Sequence, residues 1–372
     1  MKPRIAIVGA GMGGASLAWA LGDDADVLLI EGEATPGYHT TGRSAAFWVP
    51  SYGGPAVLPL TAASRAFFMS PPPGFARPLL TPRPALHLAA PGDDTALTAL
   101  ASEFDADGID YHRLDAAELS GRYPMLAAAW ARAGLIEPDC WDIDVATLHA
   151  GFLGSARRAG VRLVTDARVT ALDRAAGGWR ITTSAGPFEV DIVVDAAGAW
   201  ADALAGLAGA APLGLTPLRR TIVVIDVDPV PDRDLPVIFD TAGSFYFKPD
   251  AGRMLVSPHD ETPDVARDAA AEELDVAVAV DRFENATRYR VRRVERHWAG
   301  LRTFAPDRVP VIGPDAQVPG LFWCAGQGGI GIQTAPAWGR LAADLLLGRP
   351  TEVDATPFDP ARFTRSASPA RP

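Results

Sequence analysis

The residues RIAIVGAGMGG at 4–14 are the most informative part of the chain. The apolar, β-branched run at 4–8 predicts a strand, and the small apolar residues at 13–21 predict a helix. Another apolar run at 27–30 predicts a second strand that ends just before Glu31. The first thirty residues are therefore predicted to form a βαβ unit.

The glycines of this unit match the pattern G-x-G-x-x-G between a strand and a helix. Gly9 permits the tight turn, Gly11 lets a pyrophosphate approach the backbone, and Gly14 allows close packing of helix on strand. Gly13 completes the loop, and Glu31 stands about twenty residues further on, where a carboxylate accepts hydrogen bonds from ribose. A purely structural glycine loop is the alternative. The strand, helix and acid together favour a dinucleotide site, without separating NAD from FAD.

Composition narrows the class of protein. The 372 residues are 48% hydrophobic, enough for a globular protein of two domains without disulfides or metals. A net charge of -11 argues against a nucleic-acid partner. The two cysteines, Cys140 and Cys324, lie far apart and suit a reducing compartment, which predicts a cytoplasmic protein. No apolar run is long enough to predict a membrane span, and peripheral membrane association stays open.

The rest of the chain alternates between two patterns. The first pattern predicts strands at 161–164, 168–172, 179–183 and 192–195. The last of these leads to Gly198, a second strand followed by a glycine. A further strand at 321–325 precedes a helix at 333–347. Antiparallel strands are predicted at 221–227, 237–240, 245–248 and 254–257, with a hairpin turn at 249–252. Residues 37–84 are irregular apart from a helix at 60–68.

These patterns predict an α/β (α+β) fold in which a Rossmann-type dinucleotide domain is interleaved with an antiparallel-sheet substrate domain. The first domain is assigned to 1–80, 140–215 and 305–350, and the second to 81–139 and 216–304. The tail at 365–372 is predicted to be disordered.

Two segments carry a family resemblance. TPGYHTTGRSAA at 35–46 and WCAGQGGIGIQT at 323–334 resemble the FAD-dependent D-amino acid oxidase and dehydrogenase (DAO) superfamily, which includes glycine and sarcosine oxidases, and bacterial D-arginine dehydrogenases in particular. The resemblance implies FAD, bound without a covalent link because 306–311 holds no cysteine. Besides the residues of the first loop and Glu31, it implies cofactor contacts from Gly32, Thr40, Thr41, Gly42, Arg43, Ser44, Ala45, Ala46, Phe47, Val169, Gly198, Gly328, Gly329, Ile330, Gly331, Ile332 and Gln333.

The substrate site is predicted around an arginine. An amino acid needs its carboxylate anchored, and a bidentate guanidinium does this best. Arg302 resembles the carboxylate-binding arginine of the family, and Arg219 or Arg220, with Arg219 favoured, resembles a second one. Solvated arginines are the alternative. Tyr52 and Tyr246 resemble active-site tyrosines, with core packing as their alternative. The predicted substrate contacts are Arg302, Arg219, Tyr246, Tyr52, Phe47, Gly329 and Gln333, of which Arg302, Tyr52 and Tyr246 are the catalytic candidates.

Departures from the D-arginine enzymes bear on specificity. Phe47 stands where they have a histidine, and Ala85 or Leu86 where they have a glutamate suited to a cationic side chain. A buried cation without a carboxylate partner is unfavourable, so a neutral or apolar substrate side chain is expected. The six histidines lack ligand spacing, and no metal is expected.

The resemblance therefore predicts oxidation of the Cα–N bond of a small D-amino acid by hydride transfer to flavin N5, giving an imino acid and then a 2-oxo acid and ammonia. A secondary-amine oxidase of the sarcosine or glycine type, a 2-hydroxy acid dehydrogenase and a catalytically silent FAD-binding subunit are the alternatives. The final electron acceptor, oxygen or a quinone-type compound, and the oligomeric state are left open.

Overall fold

The computed structural model describes residues 2–93 and 95–365. Its strands, numbered in chain order, are β1 (Arg4–Val8), β2 (Asp26–Ile30), β3 (Phe47–Trp48), β4 (Leu80–Pro82), β5 (Ala85–Leu88), β6 (His112–Asp115), β7 (Ala133–Glu137), β8 (Trp141–Ile143), β9 (Arg162–Val164), β10 (Val169–Ala175), β11 (Gly178–Thr183), β12 (Gly186–Val190), β13 (Ile192–Asp195), β14 (Thr216–Asp228), β15 (Val237–Asp240), β16 (Tyr246–Asp250), β17 (Arg253–Ser257), β18 (Thr262–Pro263), β19 (Arg290–Phe304), β20 (Val311–Pro314) and β21 (Leu321–Ala325). Its helices are α1 (Met12–Leu21), α2 (Leu58–Met69), α3 (Ala96–Asp107), α4 (Ala116–Arg122), α5 (Val145–Arg158), α6 (Ala201–Leu207), α7 (Glu273–Ala286), α8 (Ala335–Leu347) and α9 (Ala361–Arg365).

The N-terminal sheet has the strand order β20-β21-β13-β1-β2-β9. β1 pairs in parallel with β2 and β13, so that Val8 lies opposite Ile30 on one side and Asp195 on the other. Because parallel strands end at the same edge of a sheet, the residues that follow these three strands meet there. The glycine loop after β1 and the acid Glu31 after β2 therefore lie side by side.

Alternation along β1 gives this sheet two buried faces. Ile5 and Ile7 pack with α1 and α8 on one face, in a cluster that contains Leu17 and Trp338. Ala6 and Val8 pack on the other face. A strand that is covered on both faces reads as a continuous apolar run, which is why the sequence predicted it so clearly.

The large sheet has the strand order β18-β14-β17-β16-β15-β5-β7-β6. Its ninth strand, β19, also pairs with β14. β14 and β19 form a long antiparallel ribbon in which Leu218 lies opposite Arg302. At the end of the ribbon Phe304 forms a bridge with Gln327, and Gly328 N–H donates to the Thr303 carbonyl at 2.8 Å. The ribbon therefore delivers Arg302 to the glycine-rich loop that follows β21.

The predicted mixed α/β fold, with parallel and antiparallel sheets, is confirmed. Several boundaries differ from those predicted: β14 begins at Thr216 instead of residue 221, α8 begins at Ala335 instead of residue 333, and β5, β6 and β7 were not predicted as strands. The division into two domains stays a prediction. The predicted disordered tail lies outside the described residues, except for Arg365 at the end of α9.

Two kinds of feature are absent from the described residues. Over 2–93 and 95–365, none of the helices combines the length and the apolar character that crossing a bilayer requires. The same residues contain no group of three or more histidine, cysteine, aspartate or glutamate side chains arranged to hold a metal ion.

Candidate active site

The glycine loop after β1 is shaped by contacts that exclude side chains. Gly9 has φ +106°, and a Cβ there would lie 2.3 Å from the Ala196 carbonyl oxygen. A Cβ on Gly14 would lie 1.9 Å from the Gly9 carbonyl oxygen, so this glycine serves the packing of α1 on β1. Gly11 and Gly13 line the adjoining cavity, and α1 begins between them. The loop thus presents the positive end of a helix to the cavity, the arrangement that binds phosphates.

Glu31 lies next to this loop and belongs to the same cavity wall. Its carboxylate accepts hydrogen bonds from Ala10 N–H at 2.9 Å and from Glu33 N–H at 3.0 Å. A carboxylate accepts about four hydrogen bonds, so acceptor capacity remains for the ribose hydroxyl groups that the sequence predicted as its partners.

The cavity at this edge has a volume of about 370 Å³, and its lining reaches from Glu31 and Val169 to Arg302 and Gly329. The start of α1 suits the diphosphate of FAD, the carboxylate of Glu31 suits its ribose, and the small residues allow the planar ring to approach the backbone. The residues present therefore fit this cofactor. The predicted cofactor residues that line it are Gly9, Gly11, Gly13, Glu31, Gly32, Thr40, Thr41, Ser44, Val169, Gly198, Gly328, Gly329, Gly331 and Ile332.

The other predicted cofactor residues lie elsewhere. Gly14 packs beneath the loop as described, and Gly42 packs against the Gly37 carbonyl oxygen. Ile330 is buried against Gly53. Ala45, Ala46, Phe47 and Gln333 line a second, smaller cavity that adjoins the first.

Arg43 does not line either cavity. Its guanidinium donates to the Asp268 carboxylate and to the carbonyl oxygens of Ala269 and Ala299, at 2.7 and 3.0 Å from the two carbonyls. Its side chain therefore ties the 3-10 turn at Thr40–Arg43 to β19 and does not approach the cofactor cavity. The side chain therefore has a structural role, and the contact of Arg43 with the cofactor stays a prediction.

The second cavity has an aromatic wall. It is lined by Ser44, Ala45, Ala46, Phe47, Val49, Tyr52, Phe239, Tyr246, Arg302, Gly329, Ile332 and Gln333. Ser44, Arg302, Gly329 and Ile332 line both cavities, so the two spaces meet at these residues. The hydroxyl groups of Tyr52 and Tyr246 make no hydrogen bond with another residue in the described part of the chain.

Arg302 is the only arginine in the lining of the second cavity over 2–93 and 95–365. It is only 8% exposed, yet its guanidinium makes no hydrogen bond or ion pair with any other described residue. A Cβ on Gly329 would lie 3.0 Å from Arg302 Nη1 and 2.4 Å from the Tyr52 hydroxyl oxygen, so these groups converge on one point. A largely buried guanidinium without a described protein partner has the charge and the free N–H donors to bind an anion.

Arg219 does not join Arg302. It is 3% exposed and lines neither cavity, because its guanidinium binds Asp275 at 3.0 Å and Glu272 at 2.6 Å, with two more carboxylates within 4 Å. Leu218, not Arg219, is the residue opposite Arg302, and neighbouring side chains on a strand point to opposite faces. We therefore leave Arg219 out of the substrate site.

Gln333 lines the second cavity, but its amide group is used for structure. Its Oε1 accepts from Val49 N–H at 3.2 Å, and its Nε2 donates to the Tyr52 carbonyl at 2.9 Å and to the Thr61 hydroxyl at 3.1 Å. It therefore fixes the segment that carries Tyr52. Both Nε2–H groups are thus occupied, whereas Oε1 keeps one acceptor position, and the predicted contact of Gln333 with the substrate stays a prediction.

Two histidines near the cavities were missed by the sequence analysis. His149 Nε2 donates to the Ala10 carbonyl at 2.8 Å beneath the glycine loop, and burial lowers its pKa. His259 Nδ1 donates to the Gly243 carbonyl at 2.6 Å, and burial, followed by the charge of Arg220, lowers its pKa to about 4. Phe239 was also missed, although alternation in β15, with Ile238 in the core, would have pointed it to the other face.

Comparisons with known proteins agree with this architecture. Residues 4–345 match the family model of FAD dependent oxidoreductases, DAO. The chain is 30% identical over 259 residues to the hydrogen cyanide synthase subunit HcnC of Pseudomonas aeruginosa, covering 67% of this chain and 59% of that protein. It is 28% identical over 262 residues to mitochondrial dimethylglycine dehydrogenase of Rattus norvegicus, covering 65% of this chain and 30% of that protein.

A solved structure extends the likeness of fold to almost the whole chain. The crystal structure of glycine oxidase from Geobacillus kaustophilus superposes with a TM-score of 0.85 at 24% identity, over 97% of this chain and 99% of that one. None of these relatives is a D-arginine dehydrogenase, and the curated sequences are matched over less than two thirds of their length. Together, the family match and the fitting cavity show that this chain belongs to the DAO family of FAD-dependent oxidoreductases.

Proposed function

We propose that the chain oxidises the Cα–N bond of a small amino acid, with the substrate carboxylate bound by Arg302. The observation that carries this proposal is the buried guanidinium of Arg302, which has no described protein partner and stands where the two cavities meet. An anionic group of a bound molecule would form charge-assisted hydrogen bonds with it, which are stronger than those with water. An amino acid supplies such a group next to the carbon atom that is oxidised.

The residues of the site then divide the work. Arg302 fixes the carboxylate and so orients Cα, and the aromatic wall excludes water from the side-chain end. The Tyr52 hydroxyl oxygen, which converges with Arg302 on Gly329, is placed to accept a hydrogen bond from the substrate ammonium group, whose proton passes to a water molecule before the hydride leaves Cα. FAD, when bound, would be the acceptor of the hydride that leaves Cα. The imino acid product hydrolyses to a 2-oxo acid and ammonia.

The lining of the second cavity favours a neutral or apolar side chain. Its side chains include Phe47, Val49, Phe239 and Tyr246, and no carboxylate is among its described lining residues. Behind Phe47, Lys248 Nζ lies 4.8 Å from the ring centroid and is paired with Asp142 at 2.6 Å. A cationic substrate side chain would find no unpaired carboxylate here. The D configuration is proposed from the resemblance of the two glycine-rich segments.

A second candidate is the oxidation of a secondary amine or of glycine itself. The relative named glycine oxidase favours it, and the relative named dimethylglycine dehydrogenase is named for an N-methylated glycine, although a tertiary amine; the same carboxylate clamp would serve all of these substrates. The small size of the second cavity is compatible with a substrate that has little or no side chain.

The test is an anaerobic bleaching screen of the holoenzyme. Flavin absorbance is followed after addition of D- and L-leucine, D- and L-phenylalanine, D-arginine, glycine, sarcosine and a 2-hydroxy acid. The proposal predicts fast bleaching by neutral D-amino acids and slow bleaching by D-arginine. Bleaching by sarcosine or glycine alone would establish the second candidate. Bleaching only by the hydroxy acid, or by nothing, would contradict both and favour the hydroxy acid dehydrogenase or the silent subunit.

A further inference from the structure

Glu137 is a buried carboxyl group that neither cavity contains. It ends β7, is 1% exposed, and lies opposite Ala85 in the pairing of β7 with β5. Burying a carboxylate is costly unless hydrogen-bond donors surround it. The donors that surround Glu137 therefore indicate what the residue does.

Two of these donors belong to one residue. Ser51 N–H donates to Glu137 Oε1 at 3.2 Å, and the Ser51 hydroxyl donates to Oε2 at 2.7 Å. A third donor, His87 Nε2, lies 3.3 Å from Oε2. The carboxylate accepts hydrogen bonds from both the backbone and the side chain of Ser51. Such a bidentate interaction fixes the position of Ser51.

Ser51 is the neighbour of Tyr52, whose ring lines the second cavity. On the far side of this pair, Gly53 and Gly54 have φ +113° and +76°, in backbone regions that favour glycine, and both are exposed. The segment therefore turns into solvent directly after Tyr52. Among the described residues, Glu137 anchors this segment through Ser51, and Gln333 holds the Tyr52 carbonyl.

We infer that Glu137 is a positioning residue for the substrate cavity, and that it acts through Ser51 to hold Tyr52 beside Arg302. The inference rests on the proposed function, because it takes the second cavity as the carboxylate site. Losing the anchor lets Tyr52 move away from Gly329 and lowers affinity for a carboxylate, without a change in the residues that hold FAD. Glu137 itself touches neither cavity.

The test uses the FAD-loaded full chain and benzoate, an aromatic carboxylate suited to a site made of aromatic rings and one guanidinium. Binding is read from the change in flavin absorbance. Ser51→Ala and Glu137→Gln each remove part of the anchor, and each is expected to raise the Kd for benzoate about tenfold, as the loss of one hydrogen bond to a charged group predicts. Ser51→Thr keeps the hydroxyl donor and is expected to restore affinity.

A matched control separates positioning from general damage. Asp315→Asn alters a carboxylate that likewise binds backbone N–H groups, those of Gln317 and Val318, far from Tyr52 in sequence. It is expected to leave the affinity for benzoate unchanged. Hydrogen exchange of the peptide over 47–57 provides a second readout that needs no ligand, and Ser51→Ala and Glu137→Gln are expected to accelerate it.

Each outcome decides a different point. Faster exchange together with weaker benzoate binding supports the inference. Unchanged affinity in both variants, while the wild type binds benzoate, would overturn it and leave the proposed function standing, whether or not exchange is faster. If the wild-type holoenzyme itself does not bind benzoate, the carboxylate site is wrong, and the inference falls with it.

Discussion

Gly329 occupies the point where the Tyr52 hydroxyl and the Arg302 guanidinium meet. A methyl group there would lie 2.4 Å from the hydroxyl oxygen and 3.0 Å from Nη1, so Gly329→Ala forces one of the two groups aside. We predict a loss of affinity for a carboxylate of about tenfold or more, as overpacking of a tight site causes. Titration of the holoenzyme with benzoate measures it. Gly121→Ala, in a helix where an added Cβ meets nothing within 4 Å, is the control and should bind normally.

His259 gives the protein a predictable response to acid. Burial, then Arg220, lowers its pKa from 6.5 to about 4, so the unfolded chain takes up a proton at a higher pH than the folded one. The stability that the neutral ring contributes is complete above pH 6.5 and is lost as the pH falls towards 4.

His259→Asn is expected to abolish this loss, which is of the order of 3 kcal/mol. Asparagine is a suitable replacement because His259 has φ +55°, a region that asparagine tolerates, and because its amide can donate to Gly243. Denaturant unfolding of both proteins across this pH range measures the difference. Parallel stability curves for the two proteins would contradict the assignment.

For single residues, the sequence predicted the roles that depend on local backbone geometry. It did not predict the roles that depend on the register between strands far apart in the chain. The roles of Gly9 and Gly14 follow from a strand, a turn and a helix within a few residues, and the structure places both as expected. Which of Arg219, Arg220 and Arg302 faces the cavity depends on how β14 pairs with β19, strands more than sixty residues apart in the chain. No pattern within either strand contains that information.

The hairpin between β16 and β17 offers a simple test of the link between turn sequence and turn conformation. The predicted turn is present, with Asp250 paired to Arg253 and Ala251 and Gly252 at φ +48° and +79°. Two-residue turns of this type require a positive φ at both central positions.

Alanine is unfavourable at such a φ, and Ala251→Asn is therefore expected to stabilise the protein by about 1 kcal/mol. The Tm of the two proteins provides the measurement. Gly252→Ala is the opposite change and should lower the Tm. A destabilised Ala251→Asn variant would contradict this account of the turn.

β19 was missed as an element for a physical reason. Its first half, from Arg290, is exposed and rich in arginine, and only the half that ends at Phe304 is buried. A strand without apolar alternation gives no periodic signal in the sequence. The first half of β19 is held in place by its hydrogen bonds with β14, and not by the burial of one face. The buried strands β1, β13 and β21 were predicted within a residue or two of their observed bounds.

At the scale of the whole molecule, the cofactor cavity joins parts of the chain that lie far apart in sequence. Its wall includes the loop after β1, the residues after β13, the end of β19 and the loop after β21. A ligand that binds only the folded state stabilises it by mass action, by about 2.7 kcal/mol when its concentration is a hundred times its Kd.

We therefore predict that removing FAD lowers the Tm of the protein and that adding FAD restores it. Riboflavin, which lacks the diphosphate and the adenosine, should restore much less, because it offers no phosphate to the helix start at Met12 and no adenosine ribose to the carboxylate of Glu31. Equal rescue by the two compounds would contradict the placement of the dinucleotide on the glycine loop.

The most direct test of the central claim is the rate of anaerobic flavin bleaching by the preferred amino acid, compared between the wild type and Arg302→Met. The account predicts that the variant retains FAD and bleaches at least about a hundredfold more slowly at low substrate concentration, because the carboxylate loses two charge-assisted hydrogen bonds. A variant that retains FAD and bleaches as fast as the wild type would contradict it.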